Sequence, residues 1–429
     1  MQKTMNRISF FALVFLLLLT AISCRKNLYD EEALIDATKK MVTVDKIDSK
    51  HTWELTTERF LSVNATNLNL GIERVQIWSG NPLQGEAADI LAERKMQDGE
   101  QKNVFFTAPL KQQQFYVALL DAAGTYTVQA FTIGQHSVSF DKALCWQAEI
   151  EEQLLNYQVF TYCYEDYTEF MTLDPDYDYN DIVLRISHQQ PTENQLRINV
   201  TLAAVGTLNQ IACAMRLIGL EYDDIESVTT IDDESFDEGM KKTGDALISG
   251  SSLLLRGRND EAVINVFEDA HYAMGETAKD RLGVMERTYC NVSKSASSEY
   301  AHITPRTISF IVTVKDAAKL NSFTNSKIDP FGLVADFSGY YELHPVGDDR
   351  HVQVLRQYSV SNAVVGMPWA LVIPSSSFRY PLQGINLGYY KQGALFGAYM
   401  TKGHSFGEWA ANHSNATDWY LYPTGNQVY

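Results

Sequence analysis

Apolar and polar residues alternate with a period of two along much of the chain, which is the pattern of half-buried strands. From Trp53 onward the texture is that of a β-protein. Val75, Ile77 and Trp78 fall in a short strand-like run, and Phe115–Leu120 (FYVALL) is a continuous apolar run of the buried kind. In Thr125–Ala130, Tyr126, Val128 and Ala130 share one face. Gly80, Pro82, Gly99, Pro109 and Gly124 punctuate the stretch as turns. This density of short strands predicts a small Ig-like β-sandwich over residues 51–142, closing near Phe140.

A second region, residues 143–429, carries the clearest alternation. Ile182, Leu184 and Ile186 face one way, as do Leu196, Ile198, Val200 and Leu202. The turn-rich link Gln189–Asn194, with Pro191, predicts an antiparallel hairpin between these runs. Ile308, Phe310, Val312 and Val314 form a third run far along the chain, so sheet pairing must be non-local. Helical pieces are minor, around Ala278–Arg287, around Ala317–Leu320 and within the last 45 residues. The predicted class is mainly β: the small sandwich, then a larger β-rich domain with minor helices.

The N-terminus reads as an address. Lys3 and Arg7 precede ten consecutive apolar residues, Phe10–Leu19. That run is too short to span a bilayer core of about 30 Å as a helix, but it suits a secretory signal. Ala21-Ile22-Ser23-Cys24 follows, resembling a bacterial lipobox in which the Cys is lipidated. Residues 1–23 are therefore expected to be a lipoprotein signal peptide, Cys24 the lipid-bearing residue, and residues 24–50 a tether to the first domain. No later segment reaches the length of a membrane-spanning helix.

Composition narrows the functional classes. Lys and Arg total 35 against 53 Asp and Glu, a formal net charge of −18 over 429 residues. Such a chain repels phosphate backbones, so no nucleic-acid partner is expected. Cys24 aside, the cysteines are Cys145, Cys163, Cys213 and Cys290, none in CxxC spacing, which argues against a zinc knuckle. A Cys145–Cys163 disulfide would close a short loop and stabilise by about 3 kcal/mol. Free buried thiols are the alternative.

The chemistry concentrates in Asp174-Pro175-Asp176-Tyr177-Asp178-Tyr179-Asn180-Asp181. In an extended chain Asp174, Asp176, Asp178 and Asn180 would share a face. Hard cations such as Ca²⁺ gather six to eight such oxygens. Asp181 and the upstream Glu165 and Asp166 (YEDY) extend the candidate set. The spacing is not that of an EF-hand: with Asp174 first, the sixth position is Tyr179 and the twelfth Arg185. The competing reading is an Asx-rich turn whose carboxylates cap backbone amides.

YEDY followed by DYDYNDIVL resembles the signature of LruC-domain lipoproteins, a family found largely in Bacteroidetes. Val266-Phe267-Glu268-Asp269-Ala270-His271-Tyr272 is similar to that family's second block. Ile328-Asp329-Pro330-Phe331, with Glu342-Leu343-His344, is similar to its third. Trp369–Pro374, Phe378–Leu382, Phe406, Trp409 and Asp418-Trp419-Tyr420 are similar to its terminal block. The resemblance runs over roughly residues 155–422, with a lengthened Gly384–Gly407 stretch as its departure. It implies an LruC-type domain in a non-catalytic cell-envelope lipoprotein with a structural Ca²⁺ loop. The acidic Asp30, Glu31 and Glu32 after Cys24 resemble surface-export signals of Bacteroidetes lipoproteins, implying an outer-membrane anchor facing the cell surface. The function expected is adhesion, assembly or binding of a protein or glycan ligand.

Two rival readings remain. A glycan-binding module would use Trp409, Trp419, Tyr420 and Tyr422 as an exposed stacking platform. A hydrolase would need two carboxylates facing each other in a cleft. No P-loop, GxSxG or HExxH motif is present. Glu342, His344, Asp348, Asp349 and His351 read as a solvated loop.

Overall fold

The computed structural model describes residues 44, 47–66, 68–84, 88–140, 146–149, 156–166, 177–231, 252–275, 287–336, 339–345, 354–360, 363–388 and 397–429. The signal segment, Cys24, most of the tether, Cys145, Asp174 and Asp176 lie outside them. The described chain is mainly β, as its alternation demands, with short helices at Ala270–Met274 and Phe406–Ala411. No helix among the described residues is long and apolar enough to cross a membrane.

The first sandwich sets a three-stranded sheet against a six-stranded one. The small sheet runs Gln101–Pro109, Thr56–Asn64, Ser137–Ser139, and the large one Trp146–Glu149, Thr125–Thr132, Gln114–Asp121, Ile72–Trp78, Asp89–Lys95, Asn156–Tyr157. Leu61, Val63 and Phe106 from one sheet meet Val75, Ile77, Phe115 and Phe131 from the other in a shared core. Both outermost strands of the large sheet come after residue 142, so that sheet extends past the boundary expected there.

The second sandwich begins with the predicted hairpin. Ile182–Thr192 pairs antiparallel with Gln195–Ala204. Its strand runs further than the turn signals suggest and includes Pro191, at a shift of register between Gln189 and Thr192. Proline has no N–H to give the ladder, so the ladder yields there rather than the strand ending. The sheet order is Ile225–Ile231, Arg306–Val314, Gln195–Ala204, Ile182–Thr192, Phe160–Tyr164, Ala370–Ile373. A second sheet runs Leu254–Arg256, Glu261–Phe267, Ile211–Glu221, Ile328–Asp336, Gly339–Leu343. Tyr162 and Tyr164 reach from the first sheet to donate hydroxyls to the carbonyls of Ile328 and Pro330 in the second.

Residues Thr43–Tyr429 form one compact unit. Arg94 of the first sandwich donates to the carbonyls of Leu320 and Phe323, and Glu58 accepts from Thr324 and Ser326. His51 and Trp53 stack with each other, and both rings meet Trp409 edge-on. Trp53 also stacks parallel to Phe406. Cys163, for which a bridge to Cys145 and a free buried thiol were the two alternatives, is a free thiol. It is buried on the strand next to the sheet edge, paired between Val183 and Leu371, and burial raises its pKa far above the ordinary thiol value.

Candidate functional site

The acidic motif curls rather than extends. Tyr177 and Tyr179 both take positive φ, 55° and 52°, which breaks the period of two that would have put alternate side chains on one face. Each left-handed non-glycine residue costs about 1–3 kcal/mol and persists only where its surroundings hold it. Glu165 does much of the holding. Tyr177 N–H donates to its Oε1 at 3.4 Å and Tyr179 N–H to its Oε2 at 3.2 Å. Both tyrosine rings are buried, and the Tyr179 hydroxyl donates to the Pro368 carbonyl at 2.8 Å.

The other acids bind backbone and polar side chains as well. Asp178 accepts from the amides of Asn180 (3.1 Å) and Gly384 (2.8 Å). Asp181 accepts from the Asp166 amide at 2.6 Å. Asp166 accepts from the Thr207 hydroxyl and from Asn209 Nδ2 at 2.7 Å. Burial raises the Asp166 pKa above the ordinary carboxylate value, against the hydrogen bonds from Thr207 and Asn209. Glu165, Asp166, Asp178, Asn180 and Asp181 are therefore brought together, largely as caps of backbone turns. Among the described residues, no group of three or more His, Cys, Asp and Glu side chains is arranged to hold a metal ion.

One oxygen stands apart. Asn180 is fully buried, and its Nδ2 donates to the Pro381 carbonyl at 3.1 Å, but its Oδ1 accepts no hydrogen bond. It lies against the bare Cα of Gly206, where a Cβ would sit 1.6 Å away.

The loop Gly206–Asn209 joins this motif to the block around Asp269. His271 Nε2 donates to the Thr207 carbonyl at 2.7 Å. Asp269 caps the Ala270–Met274 helix through the His271 amide at 2.9 Å and pairs with Arg287 at 3.1 Å. Burial opposes ionisation of Asp269, but the hydrogen bond from His271 and the charges of His271 and Arg287 hold its pKa below the usual range. Sequence reasoning missed Gly206, Thr207 and Asn209. A Gly-Thr pair at a strand end reads as an ordinary loop, and nothing in the sequence links it to residue 180.

A second polar cluster replaces the solvated loop expected around Glu342 and His344. His344 is buried, stacked on Phe331 at 4.6 Å, with Nδ1 2.8 Å from Asp329 and Nε2 3.2 Å from Glu342. Arg216 closes on Asp329 from the other side at 2.8 Å. Asp348, Asp349 and His351 lie outside the described residues. Asp329 and Arg216 line a cavity of about 250 Å³ that also touches Trp53, Tyr162 and Asn325. The buried carboxylate on its wall is engaged by a guanidinium and an imidazole.

Of the C-terminal aromatics, Trp409, Trp419 and Tyr420 are buried, and Tyr422 is half-buried. Trp409 and Trp419 are 0% exposed and pack with Phe406 and Tyr399. The stacking platform on which a glycan-binding reading would have stood is thus absent from these rings.

The blocks around Asp269, Asp329 and Trp419 all lie within residues 194–420, which match the model of a domain of unknown function, DUF4842. The chain belongs to the DUF4842 family. The match contains the second, third and terminal blocks noted above and stops short of YEDY and DYDYND. A crystal structure of a candidate lipoprotein from Bacteroides ovatus is similar to this DUF4842 chain, with 13% identity and a TM-score of 0.47. The likeness covers 84% of this chain and 99% of that one. No curated protein matches.

Proposed function

We propose that this protein is a non-catalytic lipoprotein of the LruC type, anchored through Cys24 in the outer membrane and facing the cell surface, where it serves adhesion, assembly or ligand binding. The reading is carried by the order of basic, apolar and small residues that ends at Cys24. Cys24→Ala should leave an unprocessed or soluble exported form. A mature-length Cys24→Ala species still fractionating with membranes would overturn the anchor.

Within this reading the acidic loop is a structural Ca²⁺ site. Its supports are the unpartnered Asn180 Oδ1 and the two further acids, Asp174 and Asp176, just upstream in the sequence. Asp178, Asp181, Glu165 and Asp166 would complete its oxygen set. An ion at a hundredfold excess over its Kd should stabilise the fold by about 2.7 kcal/mol. Thermal melts with calcium and with chelator read this directly, and equal melting temperatures would leave the carboxylates as turn caps alone.

A further inference from the structure

Where the strand Asp89–Lys95 approaches the turn after Ile182–Thr192 and the segment 317–321, a half-open cavity of about 210 Å³ is lined by Arg74, Arg94, Lys95 and Lys102, with Glu193 the carboxylate on its wall. Four cations meeting in one cavity run against the net charge of −18. Such a local excess concentrates anions.

The compensation of these cations is incomplete. Arg74 pairs with Glu93 at 2.6 Å and donates to the Pro191 carbonyl at 3.1 Å. Lys102 donates to the Lys95 carbonyl at 2.6 Å and stands 4.0 Å from Glu193. Arg94 is buried, donates only to the carbonyls of Glu93, Leu320 and Phe323, and its Nε has no partner. Among the described residues, the ion pairs at this cavity belong to Arg74 and Lys102, and neither Arg94 nor the exposed Lys95 has one. Guanidinium and ammonium side chains lining one cavity in this excess suit an anion with several acceptor oxygens. Gln190, Thr192 and Asn321 add neutral polar wall. The volume lies just under the range of ordinary ligand pockets, about 300 Å³ and upward, which restricts the occupant to a small molecule.

We propose that this cavity binds a phosphate or sulfate oxyanion, free or as the monoester of a small polar molecule such as a sugar. The proposal is independent of the lipid anchor and of the acidic loop. Calorimetry on the purified full-length protein at fixed ionic strength, with inorganic phosphate, glucose 6-phosphate, glucose 6-sulfate and glucose, tests it. Saturable binding of the oxyanions but not of glucose is expected. Esters binding more tightly than phosphate assign the monoester, and phosphate binding as tightly assigns the free ion. Lys95→Gln with Lys102→Gln should weaken binding by at least about tenfold, worth about 1.4 kcal/mol. Glu193→Gln, which removes the carboxylate of the wall, should tighten it several-fold. No saturable binding at millimolar concentrations, or affinities unchanged in both variants, would overturn the site.

Discussion

Asp329→Ala should lower the unfolding free energy by about 3–5 kcal/mol, the cost of removing one partner from a buried ion pair. Asp329 Oδ2 takes hydrogen bonds from Arg216 Nε and from His344 Nδ1, both at 2.8 Å, and all three side chains are buried. Alanine would take the nearer carboxylate from the guanidinium, Glu261 standing farther off at 3.4 Å. It would also remove the partner of the imidazole's Nδ1, Glu342 meeting the other ring nitrogen. Asp329→Asn keeps the shape and one acceptor, so it should cost less than alanine. Denaturant unfolding of both variants gives the comparison. A loss below about 1 kcal/mol for alanine would mean that Arg216 finds water or another acid, and that the cluster is not sealed.

Gly206→Ala should cost about 3 kcal/mol, at the top of the usual range for overpacking. The new Cβ would lie 1.6 Å from Asn180 Oδ1 and 2.6 Å from the Asn180 carbonyl. Neither atom yields easily. The Asn180 side chain is tied to Pro381, and its backbone follows the strained Tyr179, whose amide is held by Glu165. In an Asn180→Ala background the same change should cost less, since only the carbonyl contact is left. Equal cost in both backgrounds would show that the collision lies elsewhere.

The strands were legible because their burial follows the pleat. Arg306–Val314 buries Ile308, Phe310, Val312 and Val314 as its alternation requires. The hairpin was legible for the same reason, though not its true turn, because turn residues mark where a chain can bend and Pro191 sits in a register shift instead. The acidic motif announced itself by composition, but its conformation did not. Extended geometry is the default for a run leading into a strand, and what overrides it is Glu165, whose reach to two amides depends on tertiary packing. His344 was misjudged because its acidic neighbours in sequence suggested solvent, whereas its partner Asp329 arrives from another strand. The C-terminal tryptophans show the same limit. An aromatic cluster reads alike whether it faces water or core, and His51 and Trp53, far away in sequence, contribute to its closure.

The strand Phe160–Tyr164 obtains one neighbour from Ile182–Thr192, close by in sequence, but the other from Ala370–Ile373. A chain emerging N-terminus first therefore carries an open hydrogen-bonding edge at Cys163 until most of its length has appeared. Trp53 likewise waits for Phe406 and Trp409. Contacts this distant must overcome loop-closure entropy before they give anything back, which makes folding slow and late. The topology thus acts as a timer: the polypeptide stays loose for most of its emergence, and it locks only when its last aromatic turn arrives.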